Sequence, residues 1–363
     1  FWQLSTQGMI INHLNPFGGF LFWHPHELIM GFALAIIMGF LLTAARNWTG
    51  LETASPLGLF VLWLLWLTAR CVMMFGADLS FNLILISQIS VPLLAAMFIG
   101  RPIIIKRMWR NVFAPGILVV FAACDAAMLH YMQETSVVPS QWLQACILLI
   151  ALLITMIGGR IIPLFTANKL EIKKAIEGKP VLIACILPLV ILLVSSLLPQ
   201  NEILQLISAG CATVLFIAHI LRLKAWYHPN ILQHPMLWSL WFFYAAMPLG
   251  FLIMAFSSVI DKWAHMGSVA IHVLAIGAIC GLIISMVARV TLGHTGRVIT
   301  HDKWIVCAFV CLIISMCLRT IVIAISGLNS QLIMLSAALA GISCLLIFIR
   351  FIHIWLTPRP DGQ

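Results

Sequence analysis

Long apolar stretches recur along the whole chain, and they set the strongest limit on how it can fold. A stretch of about 18 or more apolar residues is long enough to cross a bilayer as a helix. Backbone N–H and C=O groups in lipid have to bond within the protein, which leaves helices or closed barrels. The segments lack the short alternating pattern of barrel strands. We therefore predict an all-α polytopic membrane protein.

Composition excludes a soluble domain of any size. Hydrophobic residues make up 63% of the 363 residues and charged residues 9%, whereas a soluble domain carries about 25% charged residues. A net charge of +9 would indicate nucleic acid as the partner of a soluble protein. In a membrane protein the same lysines and arginines mark the cytoplasmic loops. The predicted partner is the lipid bilayer, and nucleic acid is not expected.

The hydropathy pattern predicts eleven transmembrane helices in residues 1–363, joined by short connections into a single helical bundle. The Gly277 and Gly281 pair predicts a face suited to close helix contact. The predicted spans are 25–45, 56–76, 80–100, 112–133, 140–159, 180–198, 202–222, 235–256, 265–289, 303–325 and 331–355.

The positive charges predict the orientation. Most Lys and Arg residues fall in the loops at 46, 101–110, 160–179, 222–224, 289–303 and 350–359, which share one side of an eleven-span chain. The opposite side holds only Lys262, so the first side and the C-terminus are predicted to be cytoplasmic. Residues 1–24 then lie outside without a signal peptide. We infer a preceding helix, which gives twelve spans in the intact protein.

Ionisable side chains within membrane helices are candidates for function. At about 1.5 Å per residue, Asp125 lies roughly 12 Å, His272 roughly 10 Å, Arg70 and Arg319 roughly 9 Å and His130 roughly 5 Å below the outer ends of their spans. Four further groups stand at the outer boundary itself, namely His24, His26, Glu27 and His265. The prediction is one slab of ionisable groups in the outer half of the membrane.

Two interpretations of this slab stay open. In the structural one, an Arg–Asp pair holds the bundle together, the histidines bond to carbonyls and Glu27 caps its helix. In the functional one, neutral imidazoles bind copper or iron, including haem iron, and Arg70 and Arg319 bind haem propionates. Glu27 then orients a ligating histidine or carries protons. A second group of histidines lies near the cytoplasmic side and consists of His219, His294 and His353. These histidines either bind a second cofactor or make structural hydrogen bonds, and both interpretations stay open.

Four stretches resemble the NnrS family in the family's order. These are WHPHELIMGFALAIIMGFLLTAARNWTG (23–50), GGRIIPLFTANKL (158–170), HILRLKAW (219–226) and HVLAIGAICGLIISMVARVTLGHTGR (272–297). The resemblance covers nearly the whole chain, and the first and last stretches are the most specific. One departure is Trp241, which stands where the family pattern has a histidine.

The resemblance implies a bacterial inner-membrane protein of twelve helices that contains haem and copper and responds to nitric oxide and nitrosative stress. His24, His26 and Glu27 match the family's HxHE motif, and His219, His272 and His294 match its later histidines. The family does not assign individual ligands.

Our own assignment gives haem b to His272, with Arg70, Arg319, His219 and His294 as further cofactor-binding residues. It gives copper, or a second iron, to His24, His26, His130 and His265, and makes Glu27 the proton donor. Nitric oxide is then reduced or otherwise consumed between the metals. The alternatives are a non-catalytic haem or metal sensor or delivery protein, and a secondary transporter.

Overall fold

The computed structural model describes residues 14–297, 302–325 and 330–360. The structure is 85% helical, and the described residues include no strand. Eleven helices within these ranges are long and apolar enough to cross a membrane. The predicted fold class and number of spans are therefore confirmed, and the chain is a multi-pass membrane protein.

The observed helices agree with the predicted spans, with ends that shift by a few residues in most cases. They are α1 (Gly19–Thr49), α2 (Pro56–Asp78), α3 (Phe81–Ile105), α4 (Trp109–Thr135), α5 (Ser140–Leu170), α6 (Lys179–Ser196), α7 (Glu202–Trp226), α8 (Pro235–Val259), α9 (Met266–His294), α10 (Lys303–Ala324) and α11 (Ser330–Trp355).

Capping side chains explain several of the starts. Ser55 accepts a hydrogen bond from the backbone N–H of Gly58 at the start of α2. Asn201 and Asp302 accept from backbone N–H groups at the starts of α7 and α10. Each side chain satisfies one of the N–H groups that the first turn of a helix leaves unbonded.

Helices α5, α7 and α9 extend beyond their predicted spans on the predicted cytoplasmic side. Helix α5 continues past Arg160 to Leu170, α7 continues to Trp226, and α9 continues to His294. Hydropathy identifies only the apolar part of a helix. Backbone hydrogen bonds can continue the helix into polar residues, because they do not depend on the side chains. Arg222 and Arg289, which stand at predicted boundaries between a span and a loop, thus lie inside helices.

Two helices contain a π-helical segment that the sequence did not predict. In α1 it covers Glu27–Ala33 and directly follows His26. In α9 it covers Val273–Cys280 and directly follows His272. π-helical turns inside α-helices occur frequently at functional sites. The two histidines that precede these segments, His26 and His272, are therefore candidates for function.

The chain divides into two compact units, one up to Leu149 and the other from Ile150. The first, unit 1, holds α1–α4 and the first part of α5. The second, unit 2, holds the rest of α5 and α6–α11. Its apolar core includes Phe243, Phe309 and Phe351, each 0% exposed.

The predicted close contact at Gly277 and Gly281 is confirmed within unit 2. A Cβ atom at Gly277 would lie 2.7 Å from the Cβ of Ala246 in α8. At Gly281 a Cβ would collide with the ring of Phe243, which also belongs to α8. Helices α8 and α9 can approach this closely because neither glycine has a side chain.

Candidate functional site

Unit 1 contains a buried cluster of charged side chains centred on His26. The His26 imidazole is 0% exposed, with its Nε2 2.9 Å from Oδ1 of Asp125 in α4 and its Nδ1 3.0 Å from Oε1 of Glu27. Both ring nitrogens therefore lie within hydrogen-bonding distance of carboxylates. This arrangement fixes the orientation of the ring.

Arg70 of α2 extends the cluster. Its Nη1 donates to Oε1 of Glu27 at 2.5 Å, and its Nη2 donates to Oε1 of Gln88 in α3 at 2.5 Å. A Cβ atom at Gly31 would lie 2.8 Å from Nη1 of Arg70, so the guanidinium needs a glycine there. The side chains of Arg70 and Glu27 are only 15% and 13% exposed. Water therefore screens this ion pair poorly.

The hydrogen bonds fix the number of protons in the cluster. Carboxylate oxygens only accept, whereas a neutral imidazole donates from one nitrogen. Hydrogen bonds from both ring nitrogens of His26 thus require one further proton, held on the ring or on a carboxyl. That proton and the Arg70 guanidinium balance the charges of Glu27 and Asp125. The cluster is then neutral, as a low-dielectric environment favours.

In unit 2, His272 directly precedes a π-helical segment, as His26 does in unit 1. Its Nδ1 lies 2.7 Å from the backbone carbonyl oxygen of Ser268, one turn earlier in the helix. A carbonyl only accepts, so Nδ1 carries the hydrogen and Nε2 keeps its lone pair. Arg319 of α10 lies within electrostatic reach of His272. Its Nε donates to Oγ of Ser336 and its Nη2 donates to the carbonyl of Ile333, each at the long distance of 3.4 Å.

A second polar cluster in unit 2 surrounds Tyr244. The Tyr244 hydroxyl lies 2.7 Å from Nδ1 of His219 and 2.8 Å from Nη1 of Arg222, which donates to it. Arg222 also binds both carboxylate oxygens of Glu177, at 2.6 and 2.8 Å, and donates to the carbonyl of Thr155. All of these side chains except that of Glu177 are buried.

The sequence identified only His219 in this second cluster. Tyr244 is one of many aromatic residues in the apolar spans, and Arg222 stands at the boundary between a predicted span and a predicted cytoplasmic loop. One sequence signal was present, because Arg222 follows His219 by three residues and thus shares its helix face. Glu177 lies in the connection before α6, so only the tertiary structure brings it to Arg222.

The remaining predicted residues lie outside these clusters. His24, His130, His265 and His294 are all exposed. His130 pairs with Glu134 one turn later, with Nε2 3.3 Å from Oε1. The structure thus brings His26, Glu27 and Arg70 together in unit 1, and His272 near Arg319 in unit 2. Trp241 donates its indole N–H to the carbonyl of Leu223 at 3.1 Å.

Within the described ranges, no group of three or more His, Cys, Asp or Glu side chains is arranged to hold a metal ion. In unit 1 both nitrogens of His26 already bond to carboxylates. A cofactor that needs a single protein ligand is compatible with His272, whose Nε2 is available. A metal held by several protein ligands has no such site among the described side chains.

The family pattern described as NnrS protein matches residues 1–359. The chain belongs to the NnrS family. No curated protein and no solved structure matches it. The match includes every predicted site residue of the NnrS chain. Membership of the NnrS family is consistent with a protein of the nitric-oxide response.

Proposed function

We propose that this protein binds haem b through His272 and acts in defence against nitric oxide in the inner membrane of a bacterium, with its C-terminus in the cytoplasm. The observation that carries the proposal is the imidazole of His272, whose Nδ1 donates to the Ser268 carbonyl at 2.7 Å. This hydrogen bond fixes the tautomer that leaves Nε2 to bind a metal. When bound, haem supplies an iron atom that can take nitric oxide.

Arg70 and Arg319 differ in their capacity to bind an acidic group of a cofactor. Arg70 already donates to Glu27 and Gln88. Among the described residues, Arg319 has two hydrogen bonds, both 3.4 Å long, so its guanidinium is better able to bind a propionate. His219 supports a second ligand position, because its buried Nε2 has no hydrogen-bond partner among the described residues. His294 is exposed and gives less support.

Copper remains part of the prediction, but the described side chains give it less support than haem. Of the proposed ligands, His24, His130 and His265 are exposed, and both nitrogens of His26 bond to carboxylates. Copper binding at His26 would first have to break one of these hydrogen bonds. We derive no chemical step from copper.

The cluster around His26 has a separate role in the proposal, which is to hold a proton. Reduction of two molecules of nitric oxide to nitrous oxide and water consumes two protons and two electrons, and the electrons have to come from a donor outside this chain. The cluster of His26, Glu27 and Asp125 holds one such proton within a span. Glu27, the predicted proton donor, lies 3.0 Å from Nδ1 of His26 and accepts a hydrogen bond from Arg70.

The absorption spectrum of the purified protein, with a haem and metal assay, tests the proposal. We expect a Soret band that His272→Ala abolishes and that the matched loop variant His228→Ala retains. A colourless, metal-free protein would contradict the proposal, as would a spectrum that His272→Ala leaves unchanged.

A second measurement separates an enzyme from a sensor. The reduced protein, reconstituted in liposomes, is mixed with nitric oxide and the gas is followed with an electrode. We expect faster loss of nitric oxide than with the His272→Ala protein, and slower loss in Asp125→Asn if the proton in the cluster is used. Equal loss with and without haem would exclude catalysis and favour a sensor or delivery protein.

A further inference from the structure

Two segments of the chain repeat one another in sequence. Residues 26–50 of α1 and residues 272–296 of α9 have equal length and align without a gap. The identical pairs are His26 and His272, Leu28 and Leu274, Gly31 and Gly277, Ile37 and Ile283, Thr49 and Thr295, and Gly50 and Gly296. Both segments follow the same direction through the membrane in the predicted orientation.

The two segments also share their backbone conformation. In each, the π-helical stretch starts directly after the histidine. Each segment finishes on a left-handed glycine, Gly50 with φ 67° and Gly296 with φ 65°. This conformation is rare outside glycine. Two such coincidences at matching positions indicate a structural repeat rather than a chance likeness of apolar sequence.

The next helix of each unit packs against its segment in the same register. A Cβ at Gly31 would contact Arg70 of α2, and a Cβ at Gly277 would contact Met316 of α10. Arg70 and Met316 stand at equal distances along the chain from the two glycines. The carbonyl just before Arg70 accepts from Gln88 of α3, and the carbonyl of Ser315, just before Met316, accepts from Ser336 of α11.

The two copies differ in their charges. In unit 1, Glu27 follows the histidine and binds Arg70 at 2.5 Å. In unit 2, Val273 takes the place of Glu27, and Met316 takes the place of Arg70. In α10 the cation nearest to this position is Arg319, one turn further along the helix. Among the described residues, no carboxylate forms an ion pair with Arg319, and its hydrogen bonds are both 3.4 Å long.

A guanidinium within a membrane span needs an anion or strong acceptors, because an unpaired charge there is costly. Unit 1 meets this need with its own Glu27. We infer that the copy in unit 2 is an open anion site, in which Arg319 binds the carboxylate or phosphate group of a bound molecule in place of an internal glutamate. If the proposed haem binding is right, a propionate is that group; a lipid phosphate has the same chemistry.

The test supplies the missing glutamate. Val273→Glu installs a carboxylate at the position of Glu27, and Val273→Gln is its uncharged control of equal size. Arg319→Gln removes the cation without depending on how Val273→Glu folds. All are made in the full chain, with circular dichroism and gel filtration used to select folded protein.

Two arms distinguish the sources of the anion. The first compares binding of haem with binding of its dimethyl ester, which lacks ionised propionates. We expect wild type and Val273→Gln to prefer haem by about tenfold, the effect of one charged hydrogen bond, and Val273→Glu and Arg319→Gln to lose this preference. The second arm uses native mass spectrometry to compare how much phosphatidylglycerol and how much phosphatidylcholine the protein retains. If the ligand is a lipid, we expect wild type and Val273→Gln to prefer phosphatidylglycerol, and Val273→Glu and Arg319→Gln to lose this preference.

The outcomes separate this inference from the proposed function. If the protein binds no haem but retains phosphatidylglycerol through Arg319, this result would contradict the proposal of haem binding and support the inference that Arg319 forms an anion site. Equal binding of haem and ester in wild type, together with lipid retention that Arg319→Gln does not change, would overturn the anion site while leaving haem binding intact. Retention lost in Arg319→Gln but kept in Val273→Glu would mean surface contact with bulk lipid, and would also overturn it.

Discussion

The ion pair between Arg70 and Glu27 gives the sharpest test of the unit 1 cluster. Arg70→Gln leaves two carboxylates, Glu27 and Asp125, with one proton between them. Both partners of the pair are at least 85% buried, since their side chains are 15% and 13% exposed, so solvent screening discounts little of its energy. Removing one partner of a buried pair costs about 3–5 kcal/mol.

The membrane lowers that figure, because the unfolded helices in a micelle also find polar partners. We therefore expect Arg70→Gln to reduce the free energy of unfolding by about 3 kcal/mol, at the lower end of the range for buried pairs. Glu27→Gln should cost a similar amount, because it leaves Arg70 without its anion. The double variant removes both charges, and the amide introduced by Glu27→Gln keeps an oxygen that can accept from His26. It should be more stable than the sum of the single effects predicts, by about 2 kcal/mol.

The assay is unfolding of the purified full chain by dodecyl sulfate in mixed micelles, followed by circular dichroism. Arg46→Gln is the matched control, since Arg46 is exposed at the end of α1, and it should change the free energy by less than about 0.5 kcal/mol. Additivity of the two single variants within about 0.5 kcal/mol would refute the reasoning, because it would mean that Arg70 and Glu27 do not stabilise one another.

Two further predictions concern the Tyr244 cluster. Gly159→Ala should lower the free energy of unfolding by about 1–3 kcal/mol, because its Cβ would collide with the Arg222 guanidinium; Gly158→Ala, whose Cβ would meet the Tyr244 ring at an ordinary 3.4 Å, should cost less, and equal effects would contradict the packing. Tyr244→Phe should cost about 1–3 kcal/mol by the same unfolding assay, since it removes the oxygen bonded to Arg222 and His219; a loss below about 0.5 kcal/mol would show that these groups find other partners.

The site could be predicted only in part from the sequence. Depth along the spans grouped His26, Glu27, Arg70 and Asp125, and the structure brings these four together in unit 1. Depth could not identify Gln88 as a partner, because a neutral amide in an apolar span gives no charge signal. It also placed His130 with this group, whereas the structure turns His130 to the exposed side of α4 and pairs it with Glu134.

Sequence alone determined the membrane class, the eleven spans and the family resemblance, because span length and hydrophobicity are local properties that a bilayer tests one helix at a time. The pairing of charges was decided only by the tertiary structure. Which face of a helix meets which neighbour depends on close approach at residues such as Gly31 and on backbone changes such as the π-helical turns after His26 and His272. A π-helical turn rotates every side chain after it, and hydropathy carries no trace of that rotation. The contrast between a paired Arg70 and an Arg319 without a carboxylate partner among the described residues therefore became visible only when the helices were packed.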